Sequence, residues 1–206
     1  MTAAGDRWGR KGVLMGMPGS SAHPAGPGQP PDPVVIDPCP GCGLVVGPID
    51  GPRHPYIGSS PGCWSLHIEL MTSLKPADRA IGQLAGDTYA VQHPGIPERR
   101  AVQSVCVHLI SLGAQLERGW PAAKAPDLVN RAIGHPDWWV WLDPPTPLGS
   151  IRVDQVVAAT DAVERDRLVH AWADDLWRAY EPHHRQVLQW IDTLLGPAGG
   201  RGGRRR

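Results

Sequence analysis

The 206-residue chain lacks phenylalanine, has only three lysines, and contains no long run of apolar residues. A membrane-spanning helix needs ~20 consecutive, mainly apolar residues, so the sequence predicts no such helix. Twenty basic and twenty acidic residues cancel, which leaves no net charge to draw the protein toward nucleic acid or a membrane surface. The glycine-rich signatures of P-loop and dinucleotide-binding proteins are also missing, as is the G-x-S-x-G nucleophile elbow.

The beginning of the chain offers no recognisable export signal. Its only apolar run, residues 12–17, is short for the central region of a signal peptide, so we expect a cytoplasmic protein. Met15 and Met17 are alternative translation starts. The preference for Arg over Lys, with abundant Gly and Pro, indicates a GC-rich bacterial genome. In a reducing cytoplasm, close-spaced cysteines indicate metal ligands or reactive thiols rather than disulfides.

Composition divides the chain into three parts. Residues 1–37 are rich in Gly, Pro, Ser and Ala and are predicted to be disordered, because they bury too little apolar surface to offset the entropy of ordering. Residues 38–195 are predicted to form a single helical domain, with a Cys/His entry segment at 38–67. Residues 196–206 form a second disordered tail, which is basic.

Helical periodicity dominates the middle of the chain, so the predicted fold class is mainly α: a compact bundle of five or six short helices around one core, preceded by a zinc-knuckle-like segment. Ser60 and Pro61 are typical of a helix start, as are Asp161 and Glu164. The apolar run Trp138–Leu142 is predicted to be an extended, buried lid. Helices are expected at about 61–74, 77–92, 97–118, 126–133, 153–159, 161–180 and 183–195.

The strongest motif is Cys39-Pro-Gly-Cys42-Gly. A tight turn with two thiolates separated by two residues forms a zinc knuckle, and the coil-like flanks argue against a redox pair, which usually follows a strand. A closed structural zinc site needs about four ligands. Cys63 is the natural third, because it lies in the first turn of the helix that begins near Pro61, where the helix dipole favours a thiolate.

Two histidines compete for the fourth position. His54 lies in the loop between the knuckle and Cys63, and His67 follows Cys63 by four residues on the same helix face. The spacing alone leaves both open. Cys106 belongs to an apolar stripe and is expected to be a buried core residue.

A second set of polar residues lies at the end of one predicted helix and on the next: Asp87, Tyr89, His93 and His108. These are the candidate catalytic residues. Together with His183 and His184 from the last helix, the histidines would form an open metal site able to activate water. The alternative is that these side chains cap helix ends and satisfy buried polar groups.

The strings CPGCG, HPYIGSSPGCW, DTYAVQHPG and QSVCVHL together resemble an uncharacterised bacterial family, domain of unknown function 5946, over about residues 38–190. The resemblance implies a pattern of Cys39, Cys42, His54, Cys63, Tyr89, His93 and His108, with an aromatic residue commonly at the place of His67. It therefore favours His54 as the fourth ligand. It implies a shared fold and polar site, and no activity.

The leading hypothesis is a cytoplasmic, zinc-binding helical module that binds a protein or a small ligand. One alternative is a metal-dependent, hydrolase-like enzyme that uses His93, His108, His183 and His184. A second is a nucleic-acid-associated regulator, with the knuckle and the arginines of 201–206 as contacts, which the neutral net charge makes the weaker expectation.

Overall fold

The computed structural model describes residues 38–47 and 49–196. Residues 1–37, residue 48 and residues 197–206, which include nearly all of the two predicted tails, lie outside the described residues. The described part is mainly helical and contains no strand, which confirms the predicted fold class, although it has one α-helix more than the five or six that were predicted. Its seven α-helices are α1 (Pro61–Ser73), α2 (Arg79–Gln92), α3 (Arg99–Arg118), α4 (Ala125–Ile133), α5 (Val153–Val157), α6 (Ala162–Ala179) and α7 (His184–Leu195).

The helix starts follow from local capping. Ser60 caps α1, since its hydroxyl accepts a hydrogen bond from the Cys63 backbone N–H, and Pro61 occupies the first turn, where its missing N–H costs nothing. Asp161 caps α6 by accepting from the backbone N–H of Glu164. The Glu164 carboxylate accepts from Thr160 instead, so only one half of the predicted capping box forms.

The central helix is α3, which packs against α2, α4 and α7, while α2 also packs against α6, and α1 against α5. Its apolar stripe is buried as the periodicity predicts, with Leu109 and Leu112 fully inaccessible. The three largest fully buried side chains are Trp172, Tyr89 and Tyr180, and they pack between α2 and α6. Burial of these side chains is the main source of the fold's stability.

The tryptophan-rich segment differs from its prediction. Pro136–Trp138 forms a short 3₁₀ turn, Val140 is 46% exposed, and only Leu142 is buried. The indoles lie on the edge of the core, where Trp138 stacks on Trp190 with ring centroids 6.2 Å apart. The tryptophan-rich segment is therefore half-buried at the edge of the core, whereas the prediction had it fully buried.

The C-terminal end of α2 is fixed by polar contacts that cross the core. The Gln92 amide donates to the carbonyls of Leu148 and Ile151 (2.9 and 2.8 Å) and accepts from the indole N–H of Trp172 (3.1 Å). All three bonds join α2 to other parts of the chain, so the residue that follows Gln92 is held in one position.

None of the helices in residues 38–47 and 49–196 has the length and apolar character that crossing a membrane would require.

Candidate metal centre

The turn at Cys39–Cys42 is closed by its own backbone: the N–H of Gly43, which has a φ of 71°, donates to the carbonyl of Cys39 at 2.8 Å. Gly41, inside the turn, lies against His93, and a Cβ added there would be 2.5 Å from the His93 Cδ2. Only glycine fits such a close approach. The two glycines therefore let the turn bring its sulfurs to the end of α2.

Cys63 contributes the third sulfur from the first turn of α1. Its position is set by the Ser60 cap, whose hydroxyl accepts from the Cys63 N–H at 3.3 Å. The Ser60 backbone N–H in turn donates to the Cys39 Sγ at 3.3 Å. The start of the helix thus joins the turn and stabilises negative charge on sulfur.

His93 ends α2, before Pro94, and is 1% exposed. Its Nδ1 lies 2.7 Å from the carbonyl of Tyr89. A carbonyl only accepts, so Nδ1 carries the hydrogen, and this bond orients the ring. The Nε2 lies 3.3 Å from the Cys63 Sγ. A ligating histidine commonly has this second-nitrogen hydrogen bond to a carbonyl.

Together, Cys39, Cys42, Cys63 and His93 form a group whose four ligand atoms all lie within 4.8 Å of one another, and this group could hold a metal ion. The Sγ atoms of Cys42 and Cys63 are 3.8 Å apart. A tetrahedral ion with metal–sulfur bonds of about 2.3 Å places two sulfurs about 3.8 Å apart. The donor set and its spacing therefore fit one tetrahedral ion.

The close packing of these groups changes the pKa values of Cys39, Cys63 and His93. Hydrogen bonds with Cys42 and Cys63 lower the pKa of Cys39, and hydrogen bonds with Cys39 and Cys42 raise that of Cys63. Burial alone would lower the pKa of His93, but hydrogen bonds and negative charge from Cys39 and Cys42 outweigh it and raise the value to about 9. The Tyr89 phenol, whose pKa is raised by burial, donates to the Cys63 Sγ at 3.5 Å. The surroundings thus stabilise at least one thiolate.

His54, the ligand that the family resemblance favours, lies outside this group. Its Nδ1 accepts from the backbone N–H of Ile57 at 3.2 Å, and its ring packs on Tyr56 and Trp64. The His54 Nδ1 therefore stabilises the loop of residues 54–57. His67 is also outside the group. The structure brings the three predicted cysteines together and adds His93.

The four candidate catalytic residues fall into two places. Tyr89 and His93 adjoin the sulfurs, whereas Asp87 and His108 form a separate pair, with the His108 Nδ1 2.8 Å from an Asp87 carboxylate oxygen. Asp87 is completely buried. Its carboxylate also accepts from the side chains of Gln83, Ser111 and Gln115.

Sequence reasoning missed these three donors. Their spacing in the sequence indicates that they share helix faces with the pair. Gln83 precedes Asp87 by four residues on α2, and Ser111 and Gln115 follow His108 by three and seven residues on α3.

His183 and His184 join neither place. The His183 Nε2 bonds the carbonyl of Asp143 at 2.8 Å, and the His184 Nε2 bonds that of Trp177 at 2.8 Å. Among the described residues, the four histidines of the hydrolase-like hypothesis do not form a common metal-binding group. His183, which directly precedes α7, and His184, its first residue, each bond a backbone carbonyl. This is the structural alternative to a catalytic role.

His67 provides a pH-dependent prediction. Its ring is 8% exposed and stacks on Tyr89 at 3.9 Å, and burial lowers its pKa to about 4. The unfolded chain binds a proton near pH 6.5 and the folded chain near pH 4, so stability falls as pH decreases through this window. We expect His67→Phe to remove about 2 kcal/mol of the stability lost between pH 7 and pH 5. Thermal unfolding of both proteins at the two pH values measures this. An unchanged pH dependence in the variant would show that the buried ring does not titrate as expected.

The fold and this site define a helical protein with a Cys3His group that could hold a metal ion. The family of unknown function DUF5946 matches residues 37–181. The match covers more than half of the chain, so the protein belongs to that family, as the resemblance of its motifs indicates. No curated protein and no solved structure matches the chain.

Proposed function

We propose that Cys39, Cys42, Cys63 and His93 bind one Zn²⁺, and that this ion fastens the entry segment to α1 and to the end of α2. The observation that carries the proposal is the convergence of three sulfurs and an oriented imidazole nitrogen within 4.8 Å of one another. Thiolate-rich tetrahedral sites favour zinc among the common divalent ions.

The burial of the group favours a structural rather than a catalytic ion. Cys39, Cys63 and His93 are each at most 2% exposed. Four protein ligands complete a tetrahedron, so no position remains for a water molecule or a substrate. A zinc ion in such a site contributes directly to folding.

The surroundings also suit three negatively charged sulfurs. The Ser60 N–H and the Tyr89 hydroxyl each donate to one of them, and the guanidinium of Arg152 donates to the carbonyl of Cys42 at 2.9 Å. Such contacts orient metal ligands and raise metal affinity.

We further propose that the protein acts in a bacterial cytoplasm, as a module that binds a small ligand. The four cysteines are unpaired thiols, which suits a reducing compartment, and the arginine-rich coding bias supports a bacterial origin. The nucleic-acid alternative depended on arginines of the tail, and these lie outside the described residues.

Metal analysis of protein purified without a polyhistidine tag tests the zinc site. We expect about one zinc per chain, and loss of both zinc and thermal stability in Cys63→Ser. Cys106→Ser is the matched control, because Cys106 is also buried but its sulfur lies 3.4 Å from the carbonyl of Val140. Zinc well below one equivalent in the parent protein, or equal loss in both variants, would contradict the proposal.

A further inference from the structure

A cavity of about 670 Å³ lies between α1, α2 and one residue of α3, His108. This volume is in the range of small-molecule sites, about 300–1,000 Å³. Its apolar walls include Met71 and Leu74. On the α2 side, Gly82 and Gly86 line it, and a Cβ added at Gly86 would meet no atom within 4 Å. Glycine destabilises a helix interior relative to alanine, and here it leaves room for a ligand.

The Asp87–His108 pair gives the cavity a directed hydrogen-bonding group. Asp87 accepts hydrogen bonds from the side chains of Gln83, Ser111 and Gln115, and the His108 Nδ1 lies 2.8 Å from the same carboxylate. With the Nδ1–H donating to the carboxylate, the Nε2 of a neutral imidazole is an acceptor on the opposite side of the ring. The His108 side chain is 29% exposed and lines this cavity as well as a second one of about 450 Å³.

The wall of the cavity contains a second histidine, His67. His67 is 92% buried, since only 8% of it is exposed, and it lines the same cavity. Its Nδ1 has no hydrogen-bond partner among the described residues. A buried polar atom without a hydrogen-bond partner is uncommon in native structures, so His67 is an unusual polar position in the wall of the cavity.

The charge at the cavity's edge indicates the class of that molecule. Lys75 and Arg79 line the cavity and are exposed, and neither forms an ion pair with another described residue. The carboxylate of Asp78 is paired with Arg165 at 3.2 Å, and that of Asp87 is held inside by its four donors. The edge of the cavity therefore presents two exposed cations that have no ion-pair partner among the described residues.

We propose that this cavity binds a small organic anion with an apolar body and a hydroxyl group. The hydroxyl donates to the His108 Nε2, the apolar body lies on Met71, Leu74 and the glycine face of α2, and the anionic group faces Lys75 and Arg79. This site is separate from the metal centre and does not depend on the identity of the metal.

Calorimetric titration of the full-length chain tests the proposal with three probes of one carbon skeleton: 2-hydroxy-4-methylpentanoate, 4-methylpentanoate without the hydroxyl, and 4-methylpentanol without the carboxylate. We expect the first to bind with a millimolar Kd and each deletion to weaken binding by about tenfold. In His108→Phe, the probes with and without the hydroxyl should have equal Kd values. In the double variant Lys75→Gln, Arg79→Gln, the probes with and without the carboxylate should have equal Kd values.

Gly86→Leu places an isobutyl side chain in the cavity, at a position where an added Cβ meets no atom within 4 Å, and should abolish binding, while Gly86→Ala should retain most of it. Leucine and alanine both have a higher helix propensity than glycine, so we expect both variants to fold. They therefore test the proposal even if His108→Phe does not fold. Metal content measured on every variant separates this proposal from the zinc site. The proposal is overturned if no probe binds at millimolar concentration, if Gly86→Leu binds normally, or if a folded His108→Phe still prefers the hydroxylated probe.

Discussion

Replacing His93 by alanine is expected to release the zinc and to lower the free energy of unfolding by about 4 kcal/mol or more. His93 is buried, and its Nε2 lies 3.3 Å from the Cys63 sulfur. The substitution removes a ligand, leaves a cavity, and leaves the buried thiolates without a compensating charge. Zinc content and thermal unfolding, measured with and without a chelator, give the result.

His54→Ala is the matched control for this experiment. His54 is the histidine that the family resemblance favours as a ligand, and it precedes Cys63 by only nine residues. Its nitrogen accepts from a loop N–H instead, so we expect one zinc per chain and a small change in stability. Zinc loss in His54→Ala with zinc retained in His93→Ala would reverse our assignment of the fourth ligand.

The second large effect is expected at Asp87. Asp87→Ala removes the common acceptor of four side chains, including the His108 imidazole and the Ser111 hydroxyl, which lies 2.6 Å from the carboxylate. Removing a buried charge also relieves its desolvation cost, but the donors left behind in the core lose their partner. We expect a net loss of about 3 kcal/mol, or a Tm lower by about 10 °C for a chain of this length.

Asp192→Ala is the control for Asp87→Ala. Asp192 pairs with Arg118 at 2.9 Å, but its side chain is 60% exposed, and exposed ion pairs contribute little to stability. Both variants should keep one zinc, because neither carboxylate touches the metal centre. Equal Tm values for the two variants would show that the network around Asp87 does not stabilise the fold.

Local chemistry allowed much of the fold to be predicted. Ser60 and Asp161 marked helix starts because a capping side chain acts on the first turn that follows it, and the stripe on α3 identified a buried face. The Trp138–Leu142 segment was harder, since a dense apolar run specifies burial but not how much of it the neighbouring elements cover.

In the candidate metal centre, too, only the residues that belong to local sequence patterns could be predicted. Three cysteines could be selected because the knuckle and a helix N-terminus are local patterns. The choice among histidines could not be made this way, because the position of His93 depends on the tertiary packing of α2 and on the Gln92 bonds to Leu148, Ile151 and Trp172. The family resemblance favoured His54, whereas the packing of the helices brings His93 to the sulfurs.

The separation of His93 from Cys63 by 30 residues also has a consequence for synthesis on the ribosome. When Cys39, Cys42 and Cys63 have left the exit tunnel, the chain still lacks its fourth ligand, and the thiols remain open to oxidants and competing ions. Only after all of α2 has emerged can the nascent chain form the four-ligand centre. Metal capture by arrested chains of increasing length would therefore report the moment at which the first two helices come together.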